Sequence, residues 1–81
     1  MLLIPLRKNM KRIKVESSNI ESIGYSDSDL ILEVEFTCGS IYKYHPVSRY
    51  KYKGLMDAKS KGQYFAQHIR GNKRINCEQV L

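Results

Sequence analysis

The stretch that decides the fold runs from Leu30 to His45 and reads LILEVEFTCGSIYKYH. Its first half alternates apolar and polar side chains, which is typical of a strand with one buried and one solvent-facing side. Gly39 can adopt the left-handed conformation that closes a short hairpin. The length of the hairpin loop then decides which side of the sheet receives Tyr42 and Tyr44.

Two loop lengths fit this hairpin, and they predict opposite orientations of its second strand. A three-residue loop over residues 37–39 pairs Val34 with Tyr42. The same register pairs Leu32 with Tyr44, so both tyrosines join the apolar side. A two-residue loop would put them beside the two glutamates of the first strand instead. We favour the three-residue loop because it also places the glycine where a type I turn needs its bulge residue.

Another strand is predicted before the hairpin, over residues 20–25. Ile20 and Ile23 fall on opposite sides of this strand unless a bulge shifts one of them. Residues 26–29 read SDSD, and short oxygen-bearing side chains favour a turn because they bond to their own backbone. Upstream, residues 13–15 alternate and could begin a strand or lead into one. The first half of the chain therefore predicts a three-stranded antiparallel meander.

At Val47 the period-two pattern ends and a helical pattern begins. Pro46 biases the residue before it towards extended geometry, which ends the strand. Ser48 can cap a helix that runs to about Lys59. Gly54 lies inside this helix, where glycine costs about 1 kcal/mol relative to alanine.

A second helix is predicted from Ser60 onward. Ser60 and Gln63 have the spacing of a capping box, in which the serine caps the helix and the glutamine reaches back. Gly71 can close its end, and the chain from Asn72 onward is polar, basic and expected to fray. One stripe of the helix carries Tyr64, Phe65, His68 and Ile69. The predicted fold class is α+β, with a three-stranded antiparallel meander followed by two helices packed on one side (βββαα).

The length of 81 residues fits a single domain with a modest core. The two cysteines, Cys38 and Cys77, form no CxxC pair and are expected to be reduced thiols in a cytoplasmic protein. Neither they nor the two histidines have the spacing of metal ligands, so no metal and no cofactor are expected. No apolar run reaches membrane-spanning length, and the apolar start has no charges before it, unlike a secretory signal.

Charge is segregated along the chain, whose net charge is +6. Residues 1–14 carry five basic side chains and no acidic one, and residues 15–38 carry six acidic and no basic one. Residues 39–81 carry nine basic side chains against two acidic ones. This distribution predicts one acidic and one basic surface.

An ordered set of motifs spans residues 15–72. It comprises SSNI (17–20), IGY (23–25), LEVEF (32–36), Gly39, the YxY of Tyr42 and Tyr44, Val47, Leu55, AKSKG (58–62), Tyr64-Phe65 and Ile69-Arg70. Together these residues resemble the KTSC domain, a small family that occurs at the carboxyl end of some lysyl-tRNA synthetases and as single-domain bacterial and phage-type proteins. The resemblance implies a cytoplasmic module, with RNA binding suggested by the association with a tRNA enzyme. It leaves a basic N-terminal extension (1–14) and a polar C-terminal tail (73–81) outside the domain.

Two YKY segments, beginning at Tyr42 and Tyr50, interleave aromatic and cationic side chains. Bases stack on aromatic faces and cations neutralise phosphates, so this mixture favours binding of single-stranded nucleic acid. The alternative is that Tyr42 and Tyr44 pack in the core beneath the helices, with their hydroxyls at its margin. Tyr50 and Tyr52 cannot both face inward on one helix, and we predict that Tyr52 is the exposed ring.

The predicted binding surface is a patch of cations across the helices and the outer face of the third strand. Phosphates neutralised there would release counterions and make binding dependent on salt. The alternative is a solvated lysine-rich surface that keeps a small protein soluble. The predicted nucleic-acid-binding residues are Lys43, Tyr44, Arg49, Lys51, Tyr52, Lys53, Lys59, Lys61, Arg70, Lys73 and Arg74. A separate phosphate site is predicted at Ser60 and Gly62, where backbone amides at a helix start could hold the anion.

The predicted function is a non-catalytic module that binds RNA or another single-stranded nucleic acid. One alternative is a protein-binding adaptor or inhibitor of phage type, docking through its acidic strand face or its basic face. Another is capture of a small phosphorylated nucleotide in the region of residues 60–62. An enzyme is not expected, because Ser60 is explained as a helix cap and His68 as a half-buried histidine on the apolar stripe. No membrane partner is expected, and the oligomeric state is left open.

Overall fold

The structure of the protein is a computed structural model that describes residues 11–81. Residues 1–10, most of the predicted basic extension, lie outside the described residues. The strands are β1 (Ile13–Lys14), β2 (Ile20–Ser26), β3 (Ile31–Phe36), β4 (Ile41–His45) and β5 (Asn76–Gln79). The helices are α1 (Arg49–Asp57) and α2 (Lys61–Phe65), and α2 continues into a π-helical turn (Ala66–Arg70).

The five strands form one antiparallel sheet in chain order, β1-β2-β3-β4-β5. The two helices and the π-helical turn cover one side of it, which we call the helical side. Their buried residues, Leu55, Phe65 and Ile69, join Leu32 and Val34 of β3 in one apolar cluster. Side chains alternate along a strand, so the glutamates of β3 point to the other side, which we call the charged side.

The prediction of three strands is wrong at both edges of the sheet. β1 pairs Ile13 with Ile23 at one edge, and β5 pairs with β4 at the other, where a frayed tail was predicted. β5 is exposed along its whole length and is held through its backbone. Just beyond it, the Val80 N–H donates to the Ile41 carbonyl at 2.7 Å. A strand that buries no side chains needs no apolar periodicity, so its sequence carries no strand signal.

The β3–β4 hairpin has the three-residue loop that we favoured. Both predicted pairs are present, Leu32 with Tyr44 and Val34 with Tyr42. Gly39 has a φ of +99°, a left-handed conformation that glycine adopts without steric cost. Both tyrosines therefore point to the helical side, and this decides which rings are available to a ligand.

β2 contains a bulge, the condition under which Ile20 and Ile23 fall on the same side of the strand. The register with β3 shifts between Ile20 and Ser22, which turns the first residue of the strand back towards the helices. As a result Ile20 and Ile23, three residues apart, are both buried, with exposures of 1% and 0%.

Helix α1 begins at the predicted cap and ends slightly early. The Ser48 hydroxyl accepts the Lys51 N–H at 3.2 Å, and the helix stops at Asp57. A Cβ on Gly54 would overlap the ring of Tyr64. The glycine inside the helix therefore lets α2 approach α1 closely, which offsets its low helix propensity.

Helix α2 begins at its predicted cap, where the Ser60 hydroxyl accepts the Gln63 N–H at 3.3 Å. The described hydrogen bonds include no return bond from the Gln63 side chain, which is exposed. Gly71 follows the π-helical turn, as predicted. His68 was predicted on the apolar stripe but is exposed, with its ring 4.4 Å from that of Tyr64.

Candidate nucleic-acid interface

Tyr44 lies in the core, as the alternative interpretation of the first YKY segment predicted. Its exposure is 4%, and its ring meets the Phe65 ring edge-on with 5.1 Å between centroids. Burial raises the pKa of the Tyr44 hydroxyl above its usual value, and the neighbouring Cys77 adds to the shift. The buried ring offers no face to a base, so the stacking role predicted for Tyr44 is not retained.

Tyr42 lies on the same side of β4 but nearer to solvent. Its ring is half-buried and meets the Phe36 ring at 5.8 Å in an edge-on arrangement. The centroid of the Tyr44 ring lies 6.3 Å from that of Tyr42, with 29° between the ring planes. Tyr42 is therefore held by aromatic neighbours while part of its surface stays open.

The prediction for the second YKY segment is reversed. Tyr50 is 89% exposed, whereas Tyr52 is half-buried and stacks on Tyr25 of β2 with 4.4 Å between centroids and 6° between ring planes. Tyr52 lies three residues before the buried Leu55 and therefore on the same face of α1. The packing of that face decides the rotation of the helix and leaves Tyr50 in solvent.

An open groove lies on the helical side between the β3–β4 loop, the π-helical turn and β5. We call it the aromatic groove because the rings of the strands form its floor. Its volume is about 510 Å³, within the range of small-ligand sites. Hydroxyl, amide and thiol groups form its rim, and Arg70 is the one charged residue among the described residues that line it. The lining residues are Asn19, Phe36, Thr37, Cys38, Ser40, Tyr42, Tyr44, Arg70 and Cys77.

Two features decide the electrostatics of the aromatic groove. The Arg70 guanidinium lies 5.5 Å from the centroid of the Phe65 ring, close enough for a cation–π interaction. Cys38 is exposed, and hydrogen bonding from the Ser40 backbone lowers the pKa of its thiol. The groove therefore combines an aromatic floor, a fixed positive charge and a polar rim.

A second and smaller groove, of about 200 Å³, lies just after the end of β4, at the start of α1. We call it the cationic groove, because Lys51 and Arg74 line it and its described lining includes no acidic residue. Its lining residues are Pro46, Ser48, Lys51, Asn72, Arg74 and Ile75. Residues 70–74, which begin at the last residue of the π-helical turn, border both grooves, since Arg70 lines one and Arg74 the other.

The remaining predicted cations do not extend these grooves into one patch. Lys43 lies on the charged side of the sheet, opposite Glu33 on β3 and Glu78 on β5. It faces away from the helices because side chains alternate along β4. The prediction of a single patch across the helices and this strand is therefore wrong.

Two other predicted cations are engaged by local partners. The Arg49 guanidinium forms an ion pair with Asp27, with Nε at 3.2 Å from the carboxylate. Arg49 holds the pKa of this carboxyl below its usual value, chiefly through the hydrogen bond. The Lys61 ammonium donates to the Ala58 carbonyl at 3.1 Å. Neither charge is directed towards the aromatic or the cationic groove.

Three predicted lysines remain at the surface. Lys53, Lys59 and Lys73 are exposed. Lys53 lines a separate groove beside the Tyr52 ring, and Asp57 lines it too, so the charge there is mixed. These lysines add to the positive field of the protein but do not define a site.

The start of α2 is occupied by groups of the protein itself. The Ser60 hydroxyl serves as the helix cap. A Cβ on Gly62 would lie 3.0 Å from Oδ1 of Asn19, so the segment before β2 packs against this point. The Ser60 hydroxyl and the Asn19 side chain therefore occupy the start of α2, and we do not retain the phosphate site predicted at Ser60 and Gly62.

On the charged side, side chains of the protein itself engage the acidic residues of β3. Glu33 is only 7% exposed and forms an ion pair with Arg12. Arg12 Nε also donates to the Ser22 hydroxyl at 3.2 Å, and that hydroxyl donates to Glu35 at 2.7 Å. The two carboxylates of β3 are therefore already engaged.

Two negative findings apply to residues 11–81. No group of three or more His, Cys, Asp or Glu side chains in this part of the chain lies close enough together to hold a metal ion. No helix there is long and apolar enough to cross a membrane.

Sequence reasoning missed the part of the site that depends on tertiary contacts. Cys77 lines the aromatic groove because β5 places it opposite Tyr44. Phe36 and Asn19 meet at the same end of the sheet, where β2 and β3 pair. The hairpin register was the one available signal, because it already placed Tyr42 on the helical side near the loop.

Comparisons with known proteins identify the family. Residues 16–72 match the KTSC domain. A protein of Stutzerimonas stutzeri is 41% identical over 58 residues, which cover 72% of this chain and 82% of that protein. A lysine–tRNA ligase of Nostoc is 41% identical over 59 residues, 73% of this chain but only 10% of the ligase.

A solved structure agrees with the sequence comparisons. The crystal structure of a KTSC domain protein from Yersinia pestis superposes with a TM-score of 0.81 at 35% identity. The superposition covers 90% of this chain and all of that one. The chain belongs to the KTSC domain family.

Proposed function

We propose that the protein is a non-catalytic module that binds single-stranded RNA along the helical side of its sheet. The observation that carries the proposal is the pair of neighbouring grooves, one with an aromatic floor and Arg70, the other with Lys51 and Arg74. Aromatic rings stack with unpaired bases and cations neutralise phosphates, and proteins that bind single strands combine the two.

The spacing of the grooves suits a chain molecule better than a small ligand. The aromatic groove extends along β4 from the β3–β4 loop to Tyr44, and the cationic groove begins at Pro46, just after that strand. The segment carrying Arg70 and Arg74 runs between them. A phosphate backbone that follows this segment would meet a cation in each groove.

The relatives support RNA as the ligand. They include lysine–tRNA ligases, whose name states that they act on a tRNA. The matched stretch is about a tenth of each ligase, so the catalytic activity of the whole enzyme is not transferred to this chain.

The alternative of a protein-binding adaptor has less support. Docking through the acidic strand face would require free carboxylates, but Glu33 and Glu35 are engaged by Arg12 and Ser22. The aromatic and cationic grooves, in contrast, have cations without acidic neighbours among their described lining residues.

Fluorescence anisotropy with a labelled single-stranded RNA of about twelve nucleotides tests the proposal. We expect binding at low salt that weakens steeply as salt is added, because bound phosphates release counterions. Replacing Lys51 and Arg74 together by alanine should weaken binding and lower the salt slope by about 1.4, since single strands contribute about 0.7 per phosphate contact.

The matched control replaces Lys14 and Lys43 by alanine. This variant loses the same two charges, but Lys14 pairs with Glu21 at 3.4 Å and Lys43 lies on the charged side. Its affinity and salt slope should stay close to those of the native protein. An equal loss in both variants would show that net charge alone attracts RNA, and no binding even at low salt would refute the proposal.

A further inference from the structure

We infer that the aromatic groove holds one unstacked base of the RNA, with the base plane against Tyr42 and the base edge towards the polar rim. The inference rests on the proposed function and adds the chemical class that this groove takes. The inference also assigns a different part of the RNA to each groove, with the base in the aromatic groove and only phosphate in the cationic groove.

The floor of the aromatic groove is built to be rigid. The Phe36 ring packs edge-on against Phe65 at 5.6 Å and against Tyr42 at 5.8 Å. Phe65 in turn contacts Tyr44, and both are buried. A ring held on several sides loses little entropy when a base stacks on it, so Tyr42 is a pre-organised platform.

The rim offers groups that can bond to a base edge. Thr37 and Ser40 supply hydroxyls, each of which can donate and accept. Asn19 accepts a bond from the Ser17 hydroxyl through Oδ1 at 3.3 Å, and the described hydrogen bonds leave its amide nitrogen without an acceptor. These neutral groups suit the mixed donors and acceptors of a nucleobase.

The charge at the groove favours a nucleotide over a peptide. Aromatic grooves also bind proline-rich segments, whose proline side chains are uncharged. Here Arg70 is fixed over Phe65 and the next groove holds Arg74. The phosphate of a nucleotide whose base occupies the aromatic groove would lie beside Arg70. The phosphate of the next nucleotide would lie between Arg70 and Arg74.

Two native thiols can report whether the groove is occupied. Cys38 and Cys77 both line it and both are exposed. They are the two cysteines of the 81-residue sequence, so Cys38→Ser and Cys77→Ser each leave one thiol. The alkylation rate of that thiol by iodoacetamide then measures access to one wall of the groove.

The test compares a single-stranded RNA with an abasic strand of the same length and phosphate number. Bound RNA should slow the alkylation of both thiols several-fold, whereas the abasic strand should leave the rates near those of the free protein. Tyr42→Leu should weaken RNA binding by about 5- to 150-fold, the range for one stacked base. Tyr42→Phe, which keeps the ring, should bind like the native protein.

The outcomes separate the inference from the proposed function. If RNA binds but the abasic strand binds equally well and neither thiol is protected, the inference is overturned and the proposed function stands. Absence of any RNA binding would overturn both. Protection by a proline-rich peptide without protection by RNA would assign the groove to a protein partner and also refute the inference. The thiol measurements use native Tyr42, so they remain decisive even if Tyr42→Leu fails to fold.

Discussion

The charged side of the sheet differs from the aromatic and cationic grooves of the helical side in whether cations lie beside carboxylates. On the charged side, Arg12 engages Glu33 and Glu35, and Lys43 lies opposite a glutamate on each neighbouring strand. On the helical side, the grooves that contain Arg70 and Arg74 have no acidic residue in their described lining. The comparison teaches that the number of cations does not by itself predict a positively charged groove, because carboxylates beside the cations offset their charge on the charged side.

The largest expected effect is on the free energy of unfolding and concerns a core residue of the helical side. Phe65 is 1% exposed and contacts both Phe36 and Tyr44. Replacing it by alanine should lower the free energy of unfolding by about 3–5 kcal/mol, because it leaves a cavity beneath the aromatic groove. Urea unfolding followed by circular dichroism measures this. Tyr50→Ala, at a position 89% exposed, should stay within about 0.5 kcal/mol of the native value.

An intermediate effect is expected for Arg12, which forms an ion pair, compared with Arg74, which lines the cationic groove. Arg12→Ala leaves Glu33 almost buried without its ion pair, and we expect the free energy of unfolding to fall by about 1–3 kcal/mol. Arg74→Ala removes an exposed cation and should change stability by less than about 0.5 kcal/mol. Unfolding curves of both variants in one denaturant series test this. Equal losses of unfolding free energy in the two variants would contradict the view that Arg12 stabilises the fold whereas Arg74 does not.

The smallest expected effect concerns the exposed pair of Asp27 and Arg49. The pair holds the pKa of the Asp27 carboxyl below its usual value, so its contribution to stability is present above about pH 4 and is lost as the pH falls through the lowered pKa. In Arg49→Ala this pKa should return towards the ordinary value, which an NMR titration of the carboxyl measures. Lys59→Ala, at an exposed position after the same helix, should leave it unchanged.

Helix caps and the hairpin were predictable because they depend on local geometry. Ser48 and Ser60 cap their helices through hydrogen bonds that span three residues. The register of β3 and β4 follows from the length of one loop and the position of Gly39. These features involve neighbours in the sequence, so residue type and spacing contain the necessary information.

The site was predicted in part. Of the predicted nucleic-acid-binding residues, Lys51, Arg70 and Arg74 line the two grooves, but Tyr44 is buried and Tyr52 stacks on Tyr25. Residue type identified aromatic and basic side chains suited to RNA. Residue type did not show which aromatic rings would pack in the core, because that packing depends on contacts between β2, β4 and the helices.

The sequence by itself determined the α+β class, the central hairpin, the start of each helix and the resemblance to the KTSC family. Only the tertiary structure decided the five-stranded sheet, since β5 adds to β4 through backbone hydrogen bonds that carry no side-chain pattern. It also decided which cations form ion pairs, because a pair such as that between Arg12 and Glu33 joins residues far apart in the chain. The basic composition of the chain therefore does not by itself predict that Arg70 and Arg74 line grooves on the helical side.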